Sequence, residues 1–275
     1  MLGMTSPTLI IGGTGKTGRR VAARLQERGL PVRIGSRNGA PPFDWEDRAT
    51  WAPALQGTRA AYISFFPDIA VPGAPEAIAE LARVALAGGT RRLVLLSGRG
   101  EEEAERAERE LIASGAAWTI VRCSWFSQNF SEAHFYDHVM AGELALPVGD
   151  VPEPFVDADD IADVAVAALT DDRHAGELYE LTGPRLLTFA DAAAEIGEAA
   201  GRPVRVAAVS EPEFAAGLAQ HGVPADVISL LRYLFTTVLD GRNASVADGV
   251  QRALGRPARD FRDYAERAAA AGAWR

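Results

Sequence analysis

The apolar positions change period several times along the chain, and each change marks an element. Thr8–Ile11 is a short β-rich apolar run that stops at glycine. Across 19–28, Val21, Ala22 and Leu25 recur at helical spacing with arginines and Glu27 on the other side, and Gly29 closes the segment. Residues 31–36 read as a second strand. A strand, a glycine turn, a helix and a strand within about 30 residues make a βαβ unit. The alternation continues with a strand-like 59–65 (RAAYISF), an Ala/Leu-rich helix at 75–87 and an apolar strand at 92–96 (RLVLL). A helix with an acidic outer face follows at 100–113, then a strand at 118–121. Near-continuous apolar strands separated by helices predict a parallel sheet covered on both faces. Residues 39–58 are the exception, a short and irregular step.

Beyond Arg122 the regularity fails. Residues 124–140 are aromatic and polar, a loop followed by a helix. Residues 155–169 (FVDADDIADVAVAAL) read as a strand end and an Asp-capped helix, and Glu177–Leu181 as a strand that returns to the sheet. Helical segments dominate from Thr188 onward, at Phe189–Ala200, 211–221 and 226–238, with a strand-like 204–209 between the first two. The expected fold is α/β: a Rossmann-type doubly wound parallel sheet with a smaller, mostly helical C-terminal substrate domain. The expected division is a nucleotide-binding core at 1–150, with 151–184 returning to it, and a substrate-side domain at 185–275, with interleaved boundaries.

Composition narrows the function classes. With 28 basic and 37 acidic residues the formal charge is −9, so a general affinity for nucleic acid is disfavoured. No apolar run reaches the ~18–20 residues that cross a bilayer. The first eight residues lack the basic-then-apolar pattern of a secretion signal. Cys123 is the only cysteine, which excludes an internal disulfide and fits a reducing cytoplasm. The expected partner is a small-molecule substrate, with neither nucleic acid nor membrane, and a homodimer is left open. Lys16 is the only lysine, so any mechanism needing a lysine elsewhere is excluded.

Gly12, Gly15 and Gly18 form G-x-x-G-x-x-G between the first strand and the first helix. The first glycine allows the tight turn, the second lets backbone approach a pyrophosphate, and the third lets helix pack close to strand. The helix start then offers unpaired N–H groups and a positive dipole end to the phosphates. The string GKT invites comparison with an ATP phosphate loop, but that motif needs glycine five residues before Gly15, where Ile10 stands. NAD-binding turns usually have a carboxylate at the end of the second strand to hold the ribose hydroxyls. Here the sequence is Gly35-Ser36-Arg37-Asn38, without a carboxylate, and Arg37 suits a 2′-phosphate. The expected cofactor is therefore NADPH.

The segments IIGGTGKTGRRVAARL, GSR after the second strand, TIVRCSWFSQNF, FVDADDIADVA and YELTGP together resemble the NmrA-like family of atypical short-chain dehydrogenase/reductases over nearly the whole chain. That family includes NADPH-dependent quinone reductases and triphenylmethane-dye reductases, and also non-catalytic dinucleotide sensors. The resemblance implies that Gly12, Thr14, Gly15, Lys16, Thr17, Gly18, Ser36 and Arg37 contact the cofactor. It implies Ser64, Phe65 and Phe66 on the adenosine and ribose side, Ser97 and Gly98 beside the nicotinamide, and Trp125, Phe126, Gln128 and Asn129 along the substrate cleft.

Candidate chemistry is sparse. None of the five tyrosines has lysine four residues later, so the Tyr-x-x-x-Lys dyad of better-known short-chain dehydrogenases is absent. Arg109 occupies the position where some relatives place a lysine, but it stands among Glu105, Glu108 and Glu110 and reads as part of a solvated face. Ser97, His134 and His138 are the candidate catalytic groups. The two histidines stand four apart, a spacing compatible with zinc, but no third ligand is evident and no metal is expected. Trp125, Phe126 and Phe130 suit stacking on a flat substrate, and Gln128 or Asn129 suit a hydrogen bond to its oxygen. Asp157, Asp159 and Asp160 read as helix-capping and loop-orienting residues, and Glu101–Glu103 as helix N-terminal charges without a catalytic role. The expected activity is hydride transfer from NADPH to a flat electron-poor aromatic, quinone or enone, with water protonating the product. The alternative is a redox sensor that binds NADP(H) and acts through a protein partner.

Overall fold

The computed structural model describes residues 6–132 and 135–275. The chain folds as two compact units. The first comprises Met1–Cys123, Ala158–Leu181 and Asp248–Arg256, and the second Ser124–Asp157, Thr182–Ala247 and Pro257–Arg275. Residues 124–157, expected largely with the core, thus group with the second unit, and 248–256 group with the first.

From the N-terminus run β1 (Thr8–Ile11), α1 (Lys16–Glu27), β2 (Val32–Gly35), α2 (Trp51–Leu55), β3 (Ala60–Ile63), α3 (Ala74–Ala87), β4 (Arg92–Gly98), α4 (Glu102–Ala113) and β5 (Ala117–Cys123). Next come α5 (Asn129–Glu132), α6 (Tyr136–Ala141) and β6 (Glu143–Leu146), then α7 (Ala158–Thr170) and β7 (Glu177–Leu181). The remainder is α8 (Phe189–Ala200), β8 (Arg205–Ala208), α9 (Glu211–Gln220), α10 (Ala225–Tyr233), α11 (Gly249–Leu254) and α12 (Phe261–Ala270).

The first unit is built on one parallel sheet of order β2-β1-β3-β4-β5-β7. Every residue of β1 and β3 is buried, as strands covered on both faces must be. Helix α1 packs with α7, and α3 with α4. Leu9, Ile11, Ala61, Ile63, Leu93 and Leu95 share one core cluster with α2, α3 and α4. Charge reinforces the α1–α7 pairing: Arg24 reaches Asp159 at 2.7 Å and Asp163 at 2.6 Å. Arg256 reaches Asp160 at 2.7 Å and Asp163 at 2.6 Å. Asp159 and Asp160 lie in the first turn of α7, where negative charge also favours the helix dipole. The irregular step at 39–58 holds α2 and a cluster in which Phe43 and Trp51 stack at 6.1 Å and Trp45 meets Phe65 at 4.6 Å.

The second unit has an aromatic core containing Phe130, Phe135, Phe155, Phe189, Phe235 and Phe261. Its strands β6 and β8 pair in parallel. Residues 204–209 were expected as a strand; their partner at 143–146 was not, because it is only four residues long and follows a helix. The helix at 226–238 ends at Tyr233 and continues as a π-helical turn at Leu234–Val238. Among the described residues, no helix is long and apolar enough to cross a membrane.

Candidate cofactor and active site

In the first unit the chain runs from β1 outward to β2, then returns to β3 on the other side of β1. Ligands of open α/β sheets bind beyond the carboxyl ends of the strands at such a reversal. The glycine turn sits there. Gly12 has φ +73°, and its carbonyl accepts the Gly15 N–H at 2.8 Å, closing the turn. A Cβ on Gly18 would stand 2.8 Å from the carbonyl carbon of Gly12 and 2.9 Å from Cα of Gly13, so helix and turn touch only because residue 18 has no side chain. A Cβ on Gly13 would lie 2.8 Å from the Ile10 carbonyl oxygen. The hydroxyl of buried Tyr62 on β3 donates to Thr17 Oγ1 at 2.9 Å and pins the start of α1 to the sheet. Burial pushes the Tyr62 phenol up from its ordinary value, which suits it to this fixed role.

The start of α1 has no acidic residue in its first turn, and its N-cap, Gly15, supplies no side-chain cap. A helix start without a side-chain cap turns its N–H groups and positive dipole end toward an anionic ligand. Helix α4 differs, with Glu102, Glu103 and Glu105 in its first turn repelling an anion. The bare turn and uncapped helix therefore fit a dinucleotide pyrophosphate at α1. At the end of β2, Arg37 is exposed and makes no ion pair or side-chain hydrogen bond among the described residues. The Ser36 carbonyl accepts from the N–H groups of Gly39 and Phe43, both at 2.9 Å, which fixes the loop that carries Arg37. Ser64 follows β3, and a Cβ on Gly12 would stand 3.1 Å from its Cβ. Trp45 Nε1 donates to the Ser64 carbonyl at 3.2 Å; Phe65 is half-buried and Phe66 is exposed. Thr14 and Gly15 are exposed at the tip of the turn, and Lys16 is half-exposed.

At the ends of β4 and β5 lies a group of side chains that sequence reading did not assemble. Ser97 is buried and donates from Oγ to Glu108 Oε1 at 2.6 Å. Arg122 donates from Nε to the same oxygen at 2.9 Å and from Nη2 to Oε2. Ser97 Oγ is thus committed to a buried ion pair. Glu101 is the N-cap residue of α4, yet its side chain accepts no cap hydrogen bond. Its carboxyl instead folds over Gly98: a Cβ on Gly98 would overlap both carboxyl oxygens. Oε2 of Glu101 is buried without a hydrogen-bond partner among the described residues. Burial raises this carboxyl well above the usual carboxylate range, helped by the negative charges of Asp68 and Glu108. Asp68, in the loop after β3, is also raised by burial, against a hydrogen bond from the Ala70 N–H. Cys123 is buried and its thiol is pushed up, first by burial and then by the charge of Glu101.

The second unit carries the segment expected to meet substrate. Trp125 and Phe126 are half-buried, as is Asn129. Gln128 is buried and donates from Nε2 to Asp157 Oδ1 at 2.8 Å, and Arg267 reaches Asp157 Oδ2 at 2.5 Å. Phe130 is fully buried against Phe155 and Phe261, so it fills core. His138 is exposed on α6, and Arg109 is exposed on α4. His134 lies outside the described residues. Among those described, no group of three or more His, Cys, Asp or Glu side chains is arranged to hold a metal.

A doubly wound sheet with a bare glycine turn feeding an uncapped helix defines a dinucleotide-binding protein. The NAD(P)H-binding family profile matches residues 12–172, so the chain belongs to that family. It is 34% identical to an uncharacterized oxidoreductase, YesF, of Bacillus subtilis (strain 168), over 98% of this chain and 96% of that one. It is 30% identical to an NAD(P)H azoreductase of Xenophilus azovorans, over 96% of this chain and 98% of the relative. Its fold matches an NADPH-dependent quinone oxidoreductase of Escherichia coli with TM-score 0.77 and 21% identity, over 94% of this chain and 99% of the other.

Proposed function

We propose that the protein is an NADPH-dependent reductase of flat, electron-poor conjugated substrates such as quinones, enones or related aromatics. The observation that carries the cofactor choice is Arg37, exposed and without an ion pair among the described residues at the end of β2, where NAD-binding turns usually place a carboxylate. When bound, the reduced nicotinamide supplies hydride. The chain holds the pyrophosphate on Gly13, Gly15, Lys16 and Thr17, and Arg37 pairs with the 2′-phosphate. Substrate choice is supported by the azoreductase relative, whose named chemistry is reduction of a conjugated electron-poor group. Trp125 and Phe126, half-buried aromatics on the second unit, are the proposed stacking surface. Electron-poor acceptors take hydride readily, so positioning and a dry pocket supply most of the acceleration.

The test is NADPH and NADH binding and oxidation against a panel of quinones, enones and azo compounds, with wild type and Arg37→Ala. Charge-assisted contacts to a phosphate are worth about 1.5–3 kcal/mol, so Arg37→Ala should weaken NADPH by roughly 10- to 150-fold and leave NADH unchanged. Equal wild-type affinities for the two cofactors would refute the NADPH assignment. Tight NADP(H) binding without turnover, together with NADP-dependent capture of a protein partner, would favour a sensor; the absent Tyr-x-x-x-Lys dyad is the observation behind that reading.

A further inference from the structure

We infer that Glu101 is the proton donor of the reduction, a role that rests on the reductase reading above. Three carboxyl groups, Asp68, Glu101 and Glu108, interact beside the ends of β3, β4 and β5. Glu108 is neutralised by Arg122 and receives the Ser97 hydroxyl. Asp68 receives the Ala70 N–H at 2.9 Å. Glu101 Oε2 is buried and has no hydrogen-bond partner among the described residues. Like charges gathered out of water cannot all ionise, and the proton stays on the group least compensated. That group is Glu101. The buried Cys123 thiol on β5 also interacts with Glu101, and burial keeps that thiol protonated.

Position supports the same role. A dinucleotide with its pyrophosphate on the β1–α1 turn and its 2′-phosphate toward β2 must extend its second nucleotide the other way, past β3 toward the ends of β4 and β5. Gly98 is the last residue of β4, and the Glu101 carboxyl lies on it in the space a side chain would fill. Glu101 forgoes capping α4, the ordinary employment of a residue at that site, to lie there.

The substrate gains a hydrogen and two electrons as hydride from NADPH, which is oxidised to NADP⁺. The O–H bond of Glu101 breaks as an O–H or N–H bond forms on the substrate, and the carboxylate takes a replacement proton from solvent. The sum is NADPH plus one proton plus substrate, giving NADP⁺ and dihydro-substrate.

The test pairs Glu101→Gln with Asp68→Asn and Glu101→Asp. In cofactor-free wild type at neutral pH the infrared carbonyl stretch of a protonated carboxyl should be present. It should persist in Asp68→Asn and vanish in Glu101→Gln. With a quinone or enone acceptor, Glu101→Gln should lower kcat/KM by about 10²-fold or more, the usual span of general acid catalysis, with NADPH affinity unchanged. Wild-type turnover should fall as pH rises through the Glu101 pKa, and Glu101→Gln should lack that limb. Glu101→Asp should retain the limb at reduced rate, which keeps the test available if the glutamine variant does not fold. A folded Glu101→Gln protein with the wild-type rate and pH profile, or with the infrared band intact, overturns the donor role and leaves the reductase reading standing. Wild type that binds NADPH but reduces no acceptor overturns both.

Discussion

Replacing Glu108 with alanine tests whether the Ser97–Glu108–Arg122 group holds the ends of β4 and β5. The Glu108 side chain is 3% exposed and that of Arg122 is 21% exposed. Removing one partner of a buried ion pair costs about 3–5 kcal/mol, because the other charge is left uncompensated. Water already reaches part of the Arg122 guanidinium, which places this pair at the lower end, near 3 kcal/mol. The orphaned Ser97 hydroxyl adds roughly 1 kcal/mol. Urea unfolding, followed by tryptophan fluorescence and far-ultraviolet dichroism, should show the midpoint of the first unit falling by about 1–2 M for a slope of about 2–3 kcal/mol/M. Changing both partners, as Glu108→Leu with Arg122→Met, removes the uncompensated charge and should recover most of that loss. A loss below about 1 kcal/mol for Glu108→Ala, or a double variant as weak as the sum of its single changes, would refute the buried-pair account.

Two further outcomes follow from local geometry. Gly18→Ala brings a methyl group against the backbone of Gly12 and Gly13, so α1 must move off the turn; isothermal titration should show NADPH binding lost, and thermal unfolding a loss of about 1–3 kcal/mol, the usual cost of overpacking. Asp260 accepts the Arg262 N–H at 2.8 Å as N-cap of α12 and pairs with Arg185 at 2.7 Å, and the Arg185 hydrogen bond holds its carboxyl below the usual range. A depressed carboxyl stabilises the fold above its unfolded pKa of about 3.9 and loses that contribution as pH falls through the folded value. Asp260→Asn should therefore be less stable than wild type at neutral pH, with the gap closing on acidification in a pH series of thermal melts.

The parts of the fold that were legible in the sequence are those where one physical rule dominates. Apolar runs such as RLVLL could be placed because β4 is buried on both faces, and the glycine spacing fixed the β1–α1 turn because backbone contact there tolerates no side chain. What escaped was built from long-range partners. Strand β6 is four residues that acquire meaning only beside β8, sixty residues later. Helices α11 and α12 were not anticipated: α11 is six residues that pack on β7, with Gly249 against the Glu180 backbone. The carboxyl group over the end of β4 escaped for a related reason. Glu101 stands in an acidic run at a helix start, where charge normally faces water and the dipole. Only the bare backbone of Gly98, at the end of β4, gives its carboxyl room to fold inward. Gln128 shows the converse, since its polarity suggested substrate, but its amide is engaged by Asp157.

Lys16 begins α1 at the glycine turn proposed to hold the pyrophosphate, and it is the sole lysine of the chain. Amine-directed reagents therefore meet one ε-amino group in the whole molecule, and it stands at the cofactor turn. Acylation of that position becomes an occupancy gauge, with the fraction of Lys16 labelled falling as NADP(H) fills the proposed site. The arginines that join α1 to α7 are invisible to the same reagent. Immobilisation or dye attachment through side-chain amines, routine for lysine-rich proteins, would here be directed into the binding site.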